Sequence, residues 1–386
     1  MKLSAAFIVD QLEKSYRISK TTNLSKEPCL IDSAIYTPGM KLHDFTVYVV
    51  DKKEFNTLRE YRGLPENCLF VIVGNANSNT PNICILEDGE NQLEVFSQIQ
   101  EIFNTYNTWQ DDLIQAYLKG EPVKTMLEIS VPVLKNSLFV VGMDFTILDA
   151  VFIDPSIPKE KVFGSTKNTH CWITALKNSE LYYKVKDLKD VFYFPSNVTG
   201  LASLCVNIRQ NNQTTYRLVM LEDNRKIEKN EGFLLKFLAL LIQRIISPNL
   251  VRNTNGVSNS YINLTNILLE ILCNENVDYL DIGQKLSAEK WLPDHEYICL
   301  CVKLTEADKR NYTFYPIIYY WKNLIKDSCP FLYKNDVVVF INMTLSNIGL
   351  DELMKQVEYF VENSLLNVGI SRIMSGHIYL RYQYIQ

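Results

Sequence analysis

The fold reading turns on Phe331-Leu332-Tyr333-Lys334-Asn335-Asp336-Val337-Val338-Val339-Phe340. Two runs of aromatic and β-branched residues flank a polar Lys-Asn-Asp step, which is the pattern of two strands joined by a tight turn. Before it, Tyr297 to Leu304 reads as a strand and Tyr312 to Asp327 as a helix. After it, the second strand runs on to Asn342, Gly349 to Asn363 reads as a helix, and Val368-Gly369-Ile370-Ser371 as a last short strand. A helix over Ile262 to Leu272 opens this block. The sequence stops inside the helical stretch Tyr382-Gln383-Tyr384-Ile385-Gln386, so it reads as truncated there.

The remainder has the same mixed character. Strands at Phe45 to Val50, Cys68 to Val73 and Asn82 to Leu86, with a helix from Lys53 to Tyr61, predict a small parallel or mixed sheet. A long helix follows from Gln92 to Leu118, with Phe96, Ile99, Phe103, Tyr106, Leu113 and Tyr117 on a three–four spacing broken at Gln110. That stripe suits a coiled-coil-like dimer seam or a helix packed on its own domain, and both stay open. Next come a helix from Val123 to Val133 and strands at Ser137 to Val141 and Phe145 to Leu148. An irregular stretch (Phe152 to Asn197), strands at Ala202 to Arg209 and Thr215 to Leu221, and an apolar helix from Gly232 to Ile246 complete the block. A helix apolar almost all round must be covered on more than one side. The fold class is therefore α+β and α/β, multidomain. The divisions are a small α/β domain at 1–90, a linker helix at 91–119, an antiparallel-sheet domain at 120–247, a linker at 248–260, and an α/β domain at 261–386.

At 386 residues the chain exceeds the roughly 250–300 at which single cores stop growing. A net charge of −5 with no Lys/Arg cluster argues against a nucleic-acid surface on these residues. The nine Cys sit mostly in apolar runs and read as small buried hydrophobes of a reducing compartment. The four His (43, 170, 295 and 377) have no metal-ligand spacing; His170-Cys171 is the one pair that suggests a soft-metal or ligand contact. No metal site and no cofactor is expected. No signal peptide opens the sequence and no apolar run is long enough to span a bilayer, so a cytoplasmic protein without membrane contact is expected. Asn75 to Pro81 carries no phosphate-binding glycine pattern, and Asp111-Asp112 reads as a solvated helix face.

The third block resembles the cyclase-derived, GGDEF-like middle domain of the PucR/CdaR family of purine-catabolism and carbohydrate-diacid regulators. The hairpin Phe331 to Phe340 carries the resemblance, as does Val368-Gly369-Ile370-Ser371 followed by Tyr379-Leu380-Arg381-Tyr382. Ile102 to Leu113 is similar to the linker of such regulators, and Asn136 to Val141 with Phe145 to Leu148 is similar to the opening of their GAF-like sensor domain. The resemblance implies an N-terminal PucR-like domain, a GAF-like sensor, a degenerate GGDEF-like domain and a C-terminal helix-turn-helix DNA-binding domain absent from this sequence. DNA contact would come only through that absent domain.

Lys334-Asn335-Asp336-Val337-Val338 lacks the two glycines and the acidic pair of an active cyclase hairpin, and Lys303-Leu304-Thr305-Glu306 lacks the metal-binding Asp after the first strand. No catalytic residue is expected. In a GAF-like sensor, Trp172, Tyr182, Tyr183 and Tyr193 line an apolar pocket for an unidentified small effector, with Arg209 and Arg217 placed to meet an acidic one; the alternative is that these aromatics simply pack the core. Three functions follow. They are a sensing homodimeric regulator, an interaction protein that hetero-dimerises with full-length relatives, and a degenerate cyclase-like enzyme.

Overall fold

The computed structural model describes residues 1–61, 64–143, 147–154, 173–174, 176–196, 201–210, 213–249, 259–273 and 278–385. The chain is an α+β multidomain protein with three five-stranded sheets among these residues. It divides into two compact units, one of Met1–Asn136 with Asn224–Leu241, the other of Ser137–Asp223 with Ile242–Gln386.

The first unit holds β1 (Ile18–Thr21), β2 (Asp32–Ile35), β3 (Thr46–Asp51), β4 (Leu69–Val73) and β5 (Ile83–Leu86), in the order β1-β5-β4-β3-β2. β2 to β5 run parallel, and β1 closes the edge antiparallel to β5, so the sheet is mixed. β4 and β5 are buried along their whole length, as strands of a covered parallel sheet are. Helix α1 (Ala5–Leu12) is capped by the Ser4 side chain, which accepts from Phe7 N. Helix α2 spans Lys52–Tyr61, α3 Gln92–Lys119 and α4 Val123–Leu134. Helix α3 starts at an Asn91 cap and ends where Gly120 takes φ 73°, the left-handed turn that Gly adopts without strain.

The second unit contains two antiparallel sheets. The first is built from β6 (Leu138–Gly142), β7 (Ile147–Val151), β8 (Phe192–Phe194), β9 (Ser203–Gln210) and β10 (Gln213–Leu221), in the order β7-β6-β10-β9-β8. Leu138, Val140, Leu218 and Met220 are buried on one face, Phe139, Val141 and Val219 on the other. The apolar helix Gly232–Asn249 contributes residues to both units, and among its residues 232–246 only the stripe Lys236, Leu240, Arg244 is exposed, as the composition requires.

The second sheet joins β11 (Glu296–Lys303), β12 (Ser328–Tyr333), β13 (Asp336–Asn342) and β14 (Asn367–Ile370) in the order β12-β13-β11-β14; the two-residue β15 (Met374–Ser375) also pairs with β11. With the helices Phe314–Leu324 and Leu350–Ser364 between strands, this is a β-α-β-β-α-β arrangement of ferredoxin-like type. Ile298, Leu300, Val302, Trp321, Val339 and Phe360 form its core on the helical side. Asn259–Cys273, Tyr279–Ala288 and Leu380–Ile385 supply residues to a second cluster on the other face.

Candidate functional site

Strand β10 alternates, and Arg217, Val219 and Leu221 share a face with Phe139 and Val141 of β6 and with Cys205 and Asn207 of β9. Leu176, Tyr182 and Val185 pack on that face, and Phe192 and Phe194 of β8 extend it. Arg217 lies in this apolar layer with 7% of its surface exposed. Its Nε donates to Asn207 Oδ1 at 2.9 Å. Asn207 in turn donates to the carbonyls of Val185 (2.7 Å), Lys186 (3.1 Å) and Leu188 (3.0 Å), which end the short helix Glu180–Val185. The guanidinium carbon stands 5.2 Å from the ring centre of Phe192, 5.4 Å from Tyr182 and 6.0 Å from Phe194. Nη2 is buried and has no hydrogen-bond partner.

That arrangement is costly unless something completes it. Taking a cation out of water costs several kcal/mol, against which a desolvated cation over an aromatic face regains about 2 kcal/mol or more. Among the described residues no carboxylate forms an ion pair with Arg217. Tyr182 is fully enclosed; burial raises its phenol pKa and the Arg217 charge opposes the rise. It stays a protonated hydroxyl beside the guanidinium.

The structure brings Tyr182 and Arg217 together and separates the other expected residues. Tyr193 lies between Phe192 and Phe194 on one strand, so the two-residue period turns it to the opposite face, where its hydroxyl donates to Glu222 at 3.2 Å. Arg209 is two residues out of register with the site and its Nη1 donates to the Asp187 carbonyl at 2.8 Å. Tyr183 is half exposed, with the Arg310 guanidinium 5.0 Å from its ring centre. Trp172, His170 and Cys171 lie outside the described residues. Asn207 was not anticipated; its signal was a single amide in the apolar run Leu204-Cys205-Val206-Asn207-Ile208.

The same segment touches the ferredoxin-like fold. Lys186, one helical turn after Tyr182, places its ammonium 3.4 Å from the Tyr312 ring centre. Lys177 pairs with the fully buried Asp308 at 3.1 Å, and Asn311 donates to the carbonyls of Leu176 and Lys177 at 2.8 and 2.9 Å. Thr174 donates to the Asn363 carbonyl at 3.0 Å, and Ile173 enters the core of that fold. One stretch of chain thus borders the Arg217 site and docks on the neighbouring sheet.

The stripe on α3 is used within the first unit. Ile99, Phe103, Tyr106 and Leu113 are buried by the chain itself, with Phe96 and Tyr117 at the margin; Phe7 meets Tyr106 edge-on at 5.0 Å. This is the packing that the second reading of the stripe, a helix set against its own domain, expects. Asp111 and Asp112 are exposed on it. After β4, Gly74 sits at φ 99° and the Asn75 N–H is taken by the Asp88 carboxylate at 2.9 Å, so an acid stands where a phosphate would need that donor. In the hairpin, Asp336 lies opposite Lys303 and binds its ammonium at 2.6 Å, while Glu306 pairs with Lys309 at 2.8 Å. Among the described residues no group of three His, Cys, Asp or Glu is placed to hold a metal, and no helix is long and apolar enough to cross a membrane.

No family model matches the chain. No curated protein matches it. Among solved structures it is similar to a bacteriophytochrome from the photosynthetic bacterium R. palustris, at 10% identity and a TM-score of 0.29 over 66% of this chain. The chain spans 64% of the length of that structure.

Proposed function

We propose that this chain is the sensing and transmitting part of a bacterial transcriptional regulator of the PucR/CdaR kind, and not an enzyme. The observation that carries the reading is Arg217, a cation enclosed by aromatic rings with one nitrogen left without a partner. A buried cation with one unpaired nitrogen adds little to stability for its desolvation cost, and a bound ligand would give that nitrogen its partner. The antiparallel sheet order β7-β6-β10-β9-β8 supports a GAF-like sensor, and the segment Ile173 to Lys186 gives it a route to the ferredoxin-like fold. Effector binding shifts an equilibrium only through different contacts in two states, and the contacts around Tyr182 and Lys186 are placed to differ. In this reading DNA contact belongs to a helix-turn-helix domain of the kind that follows such an ending in the family. The hairpin supports no cyclase chemistry, because its one acid is held by Lys303.

Native mass spectrometry of the purified chain, beside the melting temperature of Arg217→Met, tests the proposal. A small co-purifying mass, lost in the variant, is expected. The empty variant is expected to melt higher than the emptied wild type, since a buried charge has been replaced by an apolar side chain. A variant that melts lower, with no bound mass in either protein, would show that the guanidinium is structural and sink the sensing role.

A further inference from the structure

We propose that His295 and His377 form an acid-sensitive latch. It holds residues 374–385 on the ferredoxin-like sheet while both rings are neutral, and releases them when the rings take a proton. Such a latch is independent of any effector at Arg217. The two rings meet at one corner, where Gly376 N donates to the His295 carbonyl at 3.0 Å and β15 pairs with Glu296 and Tyr297. Further along, Gln383 Nε2 donates to the Tyr297 carbonyl at 2.6 Å and Leu380 enters the core. Neighbouring groups fix the tautomer of His295. Leu345 N can only donate, and it donates to Asn342 Oδ1 at 3.0 Å, which turns the amide nitrogen the other way. That nitrogen, Nδ2, meets His295 Nδ1 at 2.9 Å, and Leu292 N donates to the same ring atom at 3.4 Å. Nδ1 therefore carries the lone pair and Nε2 the hydrogen. A second proton would go to Nδ1 and set a donor against two donors. Asn342 is fully buried, so its Nδ2 finds no water instead, and turning the amide over would give up the Leu345 cap.

His377 opposes a proton by burial. Its ring is 7% exposed, Nδ1 is buried without a partner, and a Cβ on Gly283 would stand 2.9 Å from Nε2. A proton on Nδ1 would be a buried N–H with no acceptor. The charged or titratable groups on the surrounding elements are Asp278, Tyr279, Asp281 and Lys285 from the helix Tyr279–Ala288 and its cap, and Glu289, Lys290 and Asp294 before β11. Glu296 and Tyr297 lie in β11, Asp327 beside Asn342, and Arg372, Tyr379, Arg381, Tyr382 and Tyr384 in or next to the C-terminal stretch. Among the described residues no carboxylate pairs with either ring; Asp281 is taken by Lys285 at 2.6 Å and Glu289 by Asn263 at 2.9 Å. An imidazolium here would meet no ion-pair partner. Burial holds the His377 pKa below its ordinary value, with the Tyr279 backbone opposing. The folded chain binds that proton less readily than the released one, so the latch is closed above about pH 6.5 and opens as pH falls below it.

The test is hydrogen exchange of the full chain at about pH 7.5 and about pH 5.5, corrected for the intrinsic rates. Acid is expected to cut the protection of residues 374–385 and of the Leu345 amide roughly tenfold, while β4 and β12 keep theirs. The double variant His295→Gln with His377→Gln takes up no such proton, and its protection over that stretch should be equal at both pH values. Should the double variant fail to fold, nitrogen NMR of the wild-type rings serves. His295 is expected as the Nε2–H form at about pH 7.5, with both rings titrating together with the amides of residues 374–385. Protection of that stretch unchanged by acid overturns the latch. So does an even loss across the whole chain, which is ordinary acid unfolding, and so does an Nδ1–H form of His295. An acid loss that persists in the double variant assigns the release to the surrounding carboxylates and overturns the latch as well.

Discussion

The ammonium of Lys186 lies 3.4 Å from the centre of the Tyr312 ring, joining the helix beside the Arg217 site to the ferredoxin-like fold. Lys186 is almost fully buried, and its nearest acid, the half-exposed Asp187, is 3.6 Å away. A cation removed from water over a ring is attracted by about 2 kcal/mol. Tyr182, one turn earlier, senses both Arg217 and Tyr312 electrostatically. Lys186 N also donates to the Tyr182 carbonyl, so the two residues share one helical turn.

A double-mutant cycle with Lys186→Met and Tyr312→Leu should give a coupling of about 1–2 kcal/mol in denaturant unfolding. In hydrogen exchange, either variant should loosen the amides of Phe314–Leu324 without changing those of β3 and β4 in the first unit. Additivity to within about 0.3 kcal/mol would show that the pair carries no interaction.

The buried pair Lys177–Asp308 is the second joint. Asp308 also caps its helix with Thr305 and accepts from Thr313 Oγ1 at 2.7 Å. Asp308→Ala removes the side-chain half of the capping box, leaves the Thr305 cap on its backbone N–H, and strands Lys177, so a loss of about 3–5 kcal/mol is expected. Asp308→Asn keeps the shape and the cap and should cost clearly less. Equal losses for the two would assign the effect to packing and not to charge.

These joints were not legible in the sequence, for physical reasons. Lys177 and Asp308 are far apart along the chain, and nothing local marks an ion pair formed by folding. Long buried elements were legible, because β4, β5, β13 and the helix Leu350–Ser364 carry unbroken apolar runs or a full helical period. Short half-exposed elements were not. Ile18-Ser19-Lys20-Thr21 pairs with β5 through its backbone while half of its side chains face water. The helix Tyr279–Ala288 buries only Ile282 and Leu286, too few for a period; its signal was the Asp278 cap. At the site, Arg217 and Tyr182 were read from residue type, whereas the strand period turns Tyr193 to the opposite face and Arg209 lies two residues along β9 from Asn207.

Thiol chemistry should follow burial. Cys273 is exposed, whereas Cys84 and Cys329 are buried and burial pushes both thiols up to about 12. Iodoacetamide on the native chain should label Cys273 within minutes and leave Cys84 and Cys329 unmodified until denaturant is added. Native labelling of Cys84 at the rate of Cys273 would mean that the parallel sheet opens far more often than its burial implies.

His377 and Gly283 set the last prediction. The His377 ring is buried, and a Cβ built on Gly283 would stand 2.9 Å from its Nε2. Burial holds the His377 pKa below its ordinary value, a hydrogen bond with the Tyr279 backbone opposing it, and Nδ1 has no partner. The unfolded chain therefore binds this proton more readily than the folded one. Its contribution is complete above about pH 6.5 and is lost as pH falls from there through the lower folded value. His377→Gln should flatten the fall in stability between about pH 7 and about pH 5. Gly283→Ala gains about 1 kcal/mol of helix propensity but drives a methyl into the ring, which costs about 1–3 kcal/mol. The net effect expected is a loss, together with a weaker pH dependence as the displaced ring reaches water. A stabilised Gly283→Ala with an unchanged pH profile would mean that the ring moves aside freely and that this contact does not hold it.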